Sequence, residues 1–203
     1  SPAQSDYALY QKSICYGFVD RIKQKINTLI DLIDKHPQSA YADDAFYELS
    51  GAYAVVGSFD TAINTYNKMI ARYPKSPYLP KAILNKGLIL YNQEKLYSAE
   101  SLLKDLVASY TNDAVAQQAL GTLKEIAVDL DNVPKFTQWL KSLNIETYSD
   151  NELEQTAFSA AEKQFLSNRK NQAKKSFKSY LESYHLGPNA LNAHFALAEI
   201  YFE

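Results

Sequence analysis

The residues that could bind a metal or act in nucleophilic catalysis are few and scattered along the chain. There are three histidines, His36, His185 and His194, and one cysteine, Cys15. His36 and His185 fall at predicted helix C-termini, where an imidazole interacts favourably with the helix dipole. His194 aligns with apolar residues of other repeats, so we expect it to be packed. One cysteine allows neither an intrachain disulfide nor a cysteine metal cluster, and we predict no metal site.

Paired carboxylates are the second feature that could do chemistry, as a general acid and base. They occur at Asp43-Asp44 and at Glu152 with Glu154. Both pairs lie at predicted helix starts, where acidic side chains stabilise the helix dipole. The sequence contains no Walker loop, GxGxxG, GxSxG or HExxH motif. We therefore predict no catalytic residue and no cofactor, and we predict that the chain is not an enzyme.

The basic residues cluster once, between Arg169 and Lys178. At helical spacing Lys170, Lys174 and Lys178 share one face, which leaves two readings open: contact with nucleic acid or anionic lipid, or a solvated outer face. That face has no interleaved aromatic residues for base stacking, and the formal net charge is -2. No apolar run approaches the ~18 residues of a membrane span. We predict no nucleic-acid partner and no membrane span.

An internal repeat predicts the elements that carry these residues. A period of 37 residues aligns Lys35-His36-Pro37-Gln38-Ser39 with Arg72-Tyr73-Pro74-Lys75-Ser76 and with Ser109-Tyr110-Thr111-Asn112-Asp113. In the second repeat, apolar residues recur at 3–4 spacing over 45–56 and again over 59–70. This pattern predicts two amphipathic helices joined by a tight turn. Hydrophobic residues make up 46% of the chain and there are only 6 Gly and 7 Pro, which favours long helices.

Turn and cap residues support these boundaries. Gly57 can end a helix in the left-handed conformation, and Ser58 can cap the next helix. Ser76-Pro77 and Asn132-Val133-Pro134 are typical helix starts with an early proline. Ser149 and Glu152 form a capping-box pattern.

Small residues recur at equivalent helix positions. Gly87 stands where the second repeat has Ser50, and Ala62 has equivalents at Ala99 and Ala173. A glycine inside a helix costs about 0.5–1 kcal/mol relative to alanine. We therefore expect close helix crossings at these positions, with stacked helix pairs sharing one core.

The pattern resembles the tetratricopeptide repeat, and the second repeat matches best. Its matching residues are Phe46, Leu49, Ser50, Tyr53, Gly57, Phe59, Ala62, Tyr66 and Pro74. The resemblance implies an all-α fold, a right-handed α-α superhelix of about five helix pairs plus a final helix. We expect one repeat domain over residues 1–203, with repeats at about 6–42, 43–79, 80–116, 117–153 and 154–190 and a partial sixth at 191–203. Because the chain starts at Ser1 without Met and stops inside a repeat, we expect a fragment of a longer protein.

The resemblance also implies a protein-binding scaffold whose first helices line a concave groove for a protein or peptide. Register assigns to that groove Tyr10, Ile14, Asp44, Tyr47, Val55, Lys81, Leu84, Leu88, Tyr91 and Asn92, continuing through Gly121, Glu125 and Val128. The Lys and Asn of the chaperone-tail clamp of this family are absent, because Tyr47 and Gly51 occupy their places. Two alternatives stay open: a structural spacer in a longer array, and an accessory domain of an enzyme complex.

The junction Arg72-Tyr73-Pro74-Lys75-Ser76 resembles those of bacterial envelope repeat proteins, such as outer-membrane assembly lipoproteins and Tol–Pal coordinators. This likeness implies a periplasmic or outer-membrane-associated location. The partner and the oligomeric state are not determined by the sequence.

Overall fold

The regular structure is helical throughout the part of the chain that the computed structural model describes, residues 5–111 and 113–202. Asn112 of the third junction and Glu203 of the partial sixth repeat lie outside these residues. The helices are α1 (Asp6–Phe18), α2 (Ile22–Lys35), α3 (Ala42–Val55), α4 (Phe59–Arg72), α5 (Leu79–Asn92), α6 (Leu96–Ser109), α7 (Ala114–Asp129), α8 (Val133–Ser142), α9 (Asp150–Leu166), α10 (Lys170–Ser183) and α11 (Ala190–Phe202). Over the described residues, the predicted five helix pairs and final helix are confirmed.

Two compact units make up the chain, with the division inside α7 between Ala119 and Leu120. In the N-terminal unit, α2 packs against both α1 and α3, and α4 packs against both α3 and α5. Each second helix therefore fills the space between two successive first helices, and α3 also contacts α5 directly. That residues 1–203 act as one repeat domain stays a prediction.

The core of the N-terminal unit follows this layering. One cluster joins Leu9 of α1 to Leu29 and Leu32 of α2 and to Ala45 and Leu49 of α3. The next cluster joins α3, α4 and α5 through Phe46, Ala62, Tyr66, Met69, Ala82 and Ile89. Each helix pair thus buries its apolar stripe against the following pair, which is why the repeats are stable only when stacked.

The small residues lie at the helix crossings, as expected. Ala62, Ala99 and Ala173 are fully buried, and so is Ser50. At Gly87 a Cβ atom would lie 2.5 Å from Leu103 Cδ2 of α6. Only glycine allows α5 and α6 to approach this closely, which explains its place in the middle of a helix.

In the C-terminal unit, α10 packs against α8, α9 and α11, and α8 also packs against α9. The capping box of Ser149 and Glu152 at the start of α9 is confirmed. Glu154, two residues further on, departs from the expectation of a helix-dipole carboxylate, because it is 3% exposed. It accepts hydrogen bonds from the Tyr180 hydroxyl and from the Asn189 backbone N–H, the latter at 3.1 Å.

Three local expectations were wrong. Ser58 precedes α4 but its side chain makes no capping hydrogen bond. The segment Ser76-Pro77 does not open α5, which starts at Leu79. His194 is exposed rather than packed. Gly57 does adopt the left-handed conformation, with φ of 75°, and α8 starts after Asn132 as predicted.

Candidate protein-interaction site

Two stacked tyrosine pairs lie beside the first helices of the N-terminal unit. Tyr10 of α1 stacks on Tyr41, which precedes α3, with ring centroids 5.3 Å apart. Tyr47 of α3 stacks on Tyr78, which precedes α5, with ring centroids 5.2 Å apart. All four side chains are half-buried. The second pair is the first pair repeated 37 residues later, so the 37-residue period produces a ladder of aromatic rings.

Junction serines hold these tyrosines in place. Ser39 donates a hydrogen bond of 2.6 Å to Asp6 and accepts one of 3.0 Å from the Tyr41 backbone N–H. Ser76 repeats the arrangement, with a 2.6 Å bond to Asp43 and a 3.2 Å bond from the N–H of Tyr78. The junctions that precede α3 and α5 are therefore tied to the start of the preceding first helix. The stacked rings are pre-organised as a result.

Asp44 of α3 joins the two tyrosine pairs. Its carboxylate lies close enough to the hydroxyls of Tyr10 and Tyr78 for both to lower its pKa. Burial, the largest cause, nevertheless raises the pKa of Asp44, and the nearby charges of Asp43 and Glu48 raise it further. The polar contact with Asp44 is the main cause that raises the pKa of Tyr78 to about 12. Asp44 and the four tyrosines form what we call the tyrosine–aspartate cluster.

A second hydrogen-bond network continues the cluster toward α5. The Asn85 side-chain amide donates to the hydroxyls of Tyr47 and Tyr66 at 3.2 and 3.3 Å. Tyr66 is 1% exposed, and burial raises its pKa to about 12. Since Tyr66 is locked in the core, the amide of Asn85 fixes the Tyr47 ring from its hydroxyl end. Tyr47 is thus held by stacking on one side and by a hydrogen bond at its tip.

A cavity of about 240 Å³ opens next to Tyr47. Gly51 of α3 lines it, and a Cβ atom added there would meet nothing closer than the Tyr66 hydroxyl at 4.0 Å. Val55, which is 71% exposed, lines the cavity one turn further along α3. On the side of α2, Lys25 forms an ion pair with Glu48, and both residues line the cavity. The cavity is therefore lined by aromatic rings, by a glycine with free space beside its Cα atom and by an ion pair that carries no net charge.

The structure brings together some of the residues assigned to the groove by register. Tyr10, Asp44 and Tyr47 belong to one cluster, and Val55 shares the cavity with Tyr47. Leu84 is 3% exposed, so its side chain has almost no surface to offer a partner. The remaining candidates of the N-terminal unit are half-buried (Ile14, Leu88, Tyr91) or exposed (Lys81, Asn92). Gly121, Glu125 and Val128 lie on the part of α7 that belongs to the C-terminal unit.

Register did not identify several residues of the site, namely Lys25, Tyr41, Glu48, Gly51, Tyr66, Tyr78 and Asn85. A signal for two of them was available, because Tyr41 and Tyr78 are separated by one 37-residue repeat, just as Tyr10 and Tyr47 are. The tyrosine ladder ends in the third repeat, where the equivalent positions hold Leu84 and Val115. Both of these are buried.

Other surfaces offer little chemistry. A larger cavity of about 620 Å³ lies beside α4, α5 and α6, with Lys86 and Asp105 in its lining. Burial lowers the pKa of Lys86, but the described ion pairs do not join it to Asp105. Across residues 5–111 and 113–202, no three His, Cys, Asp or Glu side chains lie together as metal ligands. Among those same residues, no helix has the length and apolar character needed to cross a membrane.

A family model and several solved structures are similar to this chain. Residues 44–76 match the sequence model of the tetratricopeptide repeat, a stretch that lies within the second repeat and includes Asp44, Tyr47 and Gly51. No curated protein matches the chain in sequence.

Similar solved structures extend over nearly the whole chain. A tetratricopeptide repeat protein from Parabacteroides merdae has a TM-score of 0.62 and 15% identity, covering 98% of this chain and 73% of that one. YrrB, described as a tetratricopeptide repeat protein with an unusual peptide-binding site, has a TM-score of 0.56 and 12% identity, over 95% and 93% of the two chains. PilF of Pseudomonas aeruginosa has a TM-score of 0.52 and 16% identity, over 97% and 84%.

These likenesses confirm the predicted fold class, an all-α helical-repeat superhelix, while its right-handedness stays a prediction. At such identities they show the fold alone. These structural likenesses do not establish the bacterial envelope subtype that the junction residues imply. Residues 44–76 thus match the tetratricopeptide repeat model, within a helical-repeat fold similar to that of tetratricopeptide repeat proteins.

Proposed function

We propose that this chain is a protein-interaction scaffold that binds a protein or peptide segment at the tyrosine–aspartate cluster and the adjoining cavity. Tetratricopeptide repeat folds generally mediate protein–protein contact, and the local proposal depends on one observation. Four stacked tyrosines pack against the edge of the core of the N-terminal unit and keep part of their side chains exposed.

The physical argument concerns entropy and contact area. A tyrosine buries a large ring with only two side-chain torsions, so it supplies binding area at a low entropic cost. Here ring stacking and, for Tyr47, the hydrogen bond from Asn85 have already restricted those torsions. Each immobilised side chain otherwise costs about 0.5–1.5 kcal/mol on association. Because these side chains are already ordered before binding, a larger part of the free energy of contact contributes to affinity.

The size of the cavity supports a protein segment rather than a cofactor. Sites for drug-sized ligands usually have volumes of about 300–1,000 Å³, whereas the cavity at Gly51 has about 240 Å³. A single side chain of a partner suits this volume. The rest of the partner would then lie across Tyr10, Tyr47 and Val55.

Site-specific photocrosslinking tests the proposal. A photoreactive phenylalanine analogue replaces Tyr47 in the full-length protein in its native cells, and the control replaces Tyr97 of α6, which is 76% exposed. We expect a discrete crosslinked partner from position 47 that position 97 does not capture. Equal capture from both positions would favour the spacer alternative.

Filling the cavity provides a second test with a matched control. Gly51→Trp places an indole in the cavity, and Ala108→Trp places one on the exposed face of α6. We expect Gly51→Trp, and Tyr47→Ala likewise, to abolish capture of the partner while Ala108→Trp retains it. Full affinity in both Tyr47→Ala and Tyr91→Ala would count against the groove assignment.

We further propose that the parent protein acts in a bacterial cell envelope. The support is the likeness of Arg72-Tyr73-Pro74-Lys75-Ser76 to the junctions of envelope repeat proteins. Fractionation of the producing cells, with a periplasmic and a cytoplasmic marker, tests this. Recovery with the cytoplasmic marker would refute it.

A further inference from the structure

Asp44 is a half-buried carboxylate that lacks a counter-ion among the described ion pairs. Its polar neighbours are the neutral hydroxyls of Tyr10 and Tyr78, and its charged neighbours, Asp43 and Glu48, have the same sign. The two oxygens of a carboxylate offer about four lone-pair sites, so these neighbours leave acceptor capacity for a further donor. A carboxylate in this state is stabilised by any cation that can reach it.

The basic residues of the unit do not meet this need. Lys25 is committed to Glu48, and Lys95 pairs with Asp60. Lys81, which occupies the register position of Asp44 one repeat later, is exposed and has no ion pair to Asp44 among the described contacts. The negative charge of Asp44, at the centre of the tyrosine–aspartate cluster, is therefore available to a partner that binds along the first helices.

The surrounding tyrosines add a second cation-attracting element. The faces of aromatic rings attract ammonium and guanidinium groups, by about 0.5–2 kcal/mol depending on exposure. Tyr41, the residue before α3, and Tyr47 lie about one helical turn on either side of Asp44, and each belongs to a stacked pair, Tyr10 with Tyr41 and Tyr47 with Tyr78. A planar guanidinium can stack on a ring and bind a carboxylate through two parallel N–H groups, whereas an ammonium makes a point contact.

We propose that the tyrosine–aspartate cluster is a recognition site for a basic side chain of the protein partner, arginine in preference to lysine. The Asp44 carboxylate accepts the charged N–H groups, and the Tyr47 and Tyr78 rings contact the cation. This inference rests on the proposed function and specifies the chemistry of its partner. A carboxylate clamp uses basic residues to bind an acidic group of its partner. Here an acidic residue of the chain binds a basic group of the partner.

The electrostatics give the site a pH dependence. The pKa of Asp44 lies above its ordinary value, with burial as the main cause, and a bound cation would lower it. Affinity for a basic peptide is therefore full well above that raised pKa and falls as the pH drops through it. Asp44→Asn removes this dependence, because an amide does not titrate in that range.

Selection from a random peptide library on the 203-residue chain tests the inference. Selected peptides are measured against the parent chain, Gly51→Trp and Asp44→Asn, with Asp105→Asn on α6 as a control of equal charge change. We expect enrichment of arginine, and weaker enrichment of lysine, in the peptides that Gly51→Trp no longer binds. For those peptides we expect at least about tenfold weaker binding to Asp44→Asn and unchanged binding to Asp105→Asn.

Two other results are distinguishable. Peptides that depend on Gly51 but show no basic enrichment, or that bind Asp44→Asn with parental affinity, would overturn the basic-side-chain site and leave the protein-binding proposal intact. Failure to recover any peptide that is sensitive to Gly51→Trp or Tyr47→Ala would overturn both. Circular dichroism of each variant establishes that it is folded before its binding is interpreted.

Discussion

Substitution of Gly87 by alanine is expected to destabilise the N-terminal unit although alanine is the better helix former. The added Cβ atom would lie 2.5 Å from Leu103 Cδ2 and 2.8 Å from Leu103 Cγ, where ordinary contacts begin at 3.4 Å. Leu103 is fully buried, so its side chain cannot swing into solvent. The overlap must be relieved by an unfavourable rotamer or by separating α5 from α6.

The magnitude follows from two opposing terms. Alanine gains about 1 kcal/mol over glycine in a helix interior. Overpacking a well-filled core costs about 1–3 kcal/mol, and with two close contacts to a buried side chain we place the cost near the upper end, about 2–3 kcal/mol. The net expectation is a loss of about 1–2 kcal/mol in the free energy of unfolding.

A double-mutant cycle in urea, followed by circular dichroism, tests the cause as well as the sign. Leu103→Ala alone costs about 2–5 kcal/mol, but in that background Gly87→Ala should become stabilising by about 1 kcal/mol. Gly121→Ala is the control, because a Cβ atom there meets nothing within 4 Å, and it should stabilise by about 0.5–1 kcal/mol. A Gly87→Ala variant as stable as the parent, or a cycle without coupling, would refute the close-crossing explanation.

The other predictions concern charge and burial. Ala62→Arg should cost at least about 3 kcal/mol, since it overpacks a fully buried site and adds an unpaired charge; a thermal melt superimposing on that of the parent would contradict this. Asp44→Asn should leave the free energy of unfolding equal or higher at pH 7. A raised folded-state pKa makes the ionised aspartate destabilising above its unfolded pKa near 3.8, so the advantage should vanish near pH 3 in parallel urea titrations. Glu154→Ala should cost about 2–3 kcal/mol because the Tyr180 hydroxyl and the Asn189 N–H lose their acceptor; a loss below about 1 kcal/mol in urea would mean that water replaces the carboxylate.

Much of the fold could be predicted because it depends on local periodicity. Apolar spacing located the helix pairs, and Gly57 marked a turn that adopts φ of 75°. Gly87 and Ala62 could be assigned to helix crossings because a small residue in mid-helix has no local advantage that outweighs its cost. Ser76 was misassigned as a helix start, because its hydroxyl donates a hydrogen bond to Asp43 at the other end of the same repeat.

The candidate site was predicted only in part, because register identifies the face of a helix but not the degree of burial. Tyr47 and Leu84 have the same register, yet Tyr47 is half-buried with its hydroxyl bonded to Asn85, and Leu84 is almost fully buried. Glu154 likewise resembled a surface carboxylate at a helix start. Its partner Tyr180 lies on α10, and only packing brings the two together.

The amino-acid sequence by itself determined that this chain forms paired α-helices repeating every 37 residues, because helix periodicity, turn residues and small crossing residues are properties of short segments. The tertiary structure alone decided that the two stacked tyrosine pairs meet at Asp44, whose carboxylate has no ion pair among the described residues. That arrangement depends on proximity between distant segments, since Tyr10 lies in the first repeat and Tyr78 lies at the opposite end of the repeat that contains Asp44. Their geometry is set by how closely neighbouring helix pairs pack, and no single segment encodes that distance.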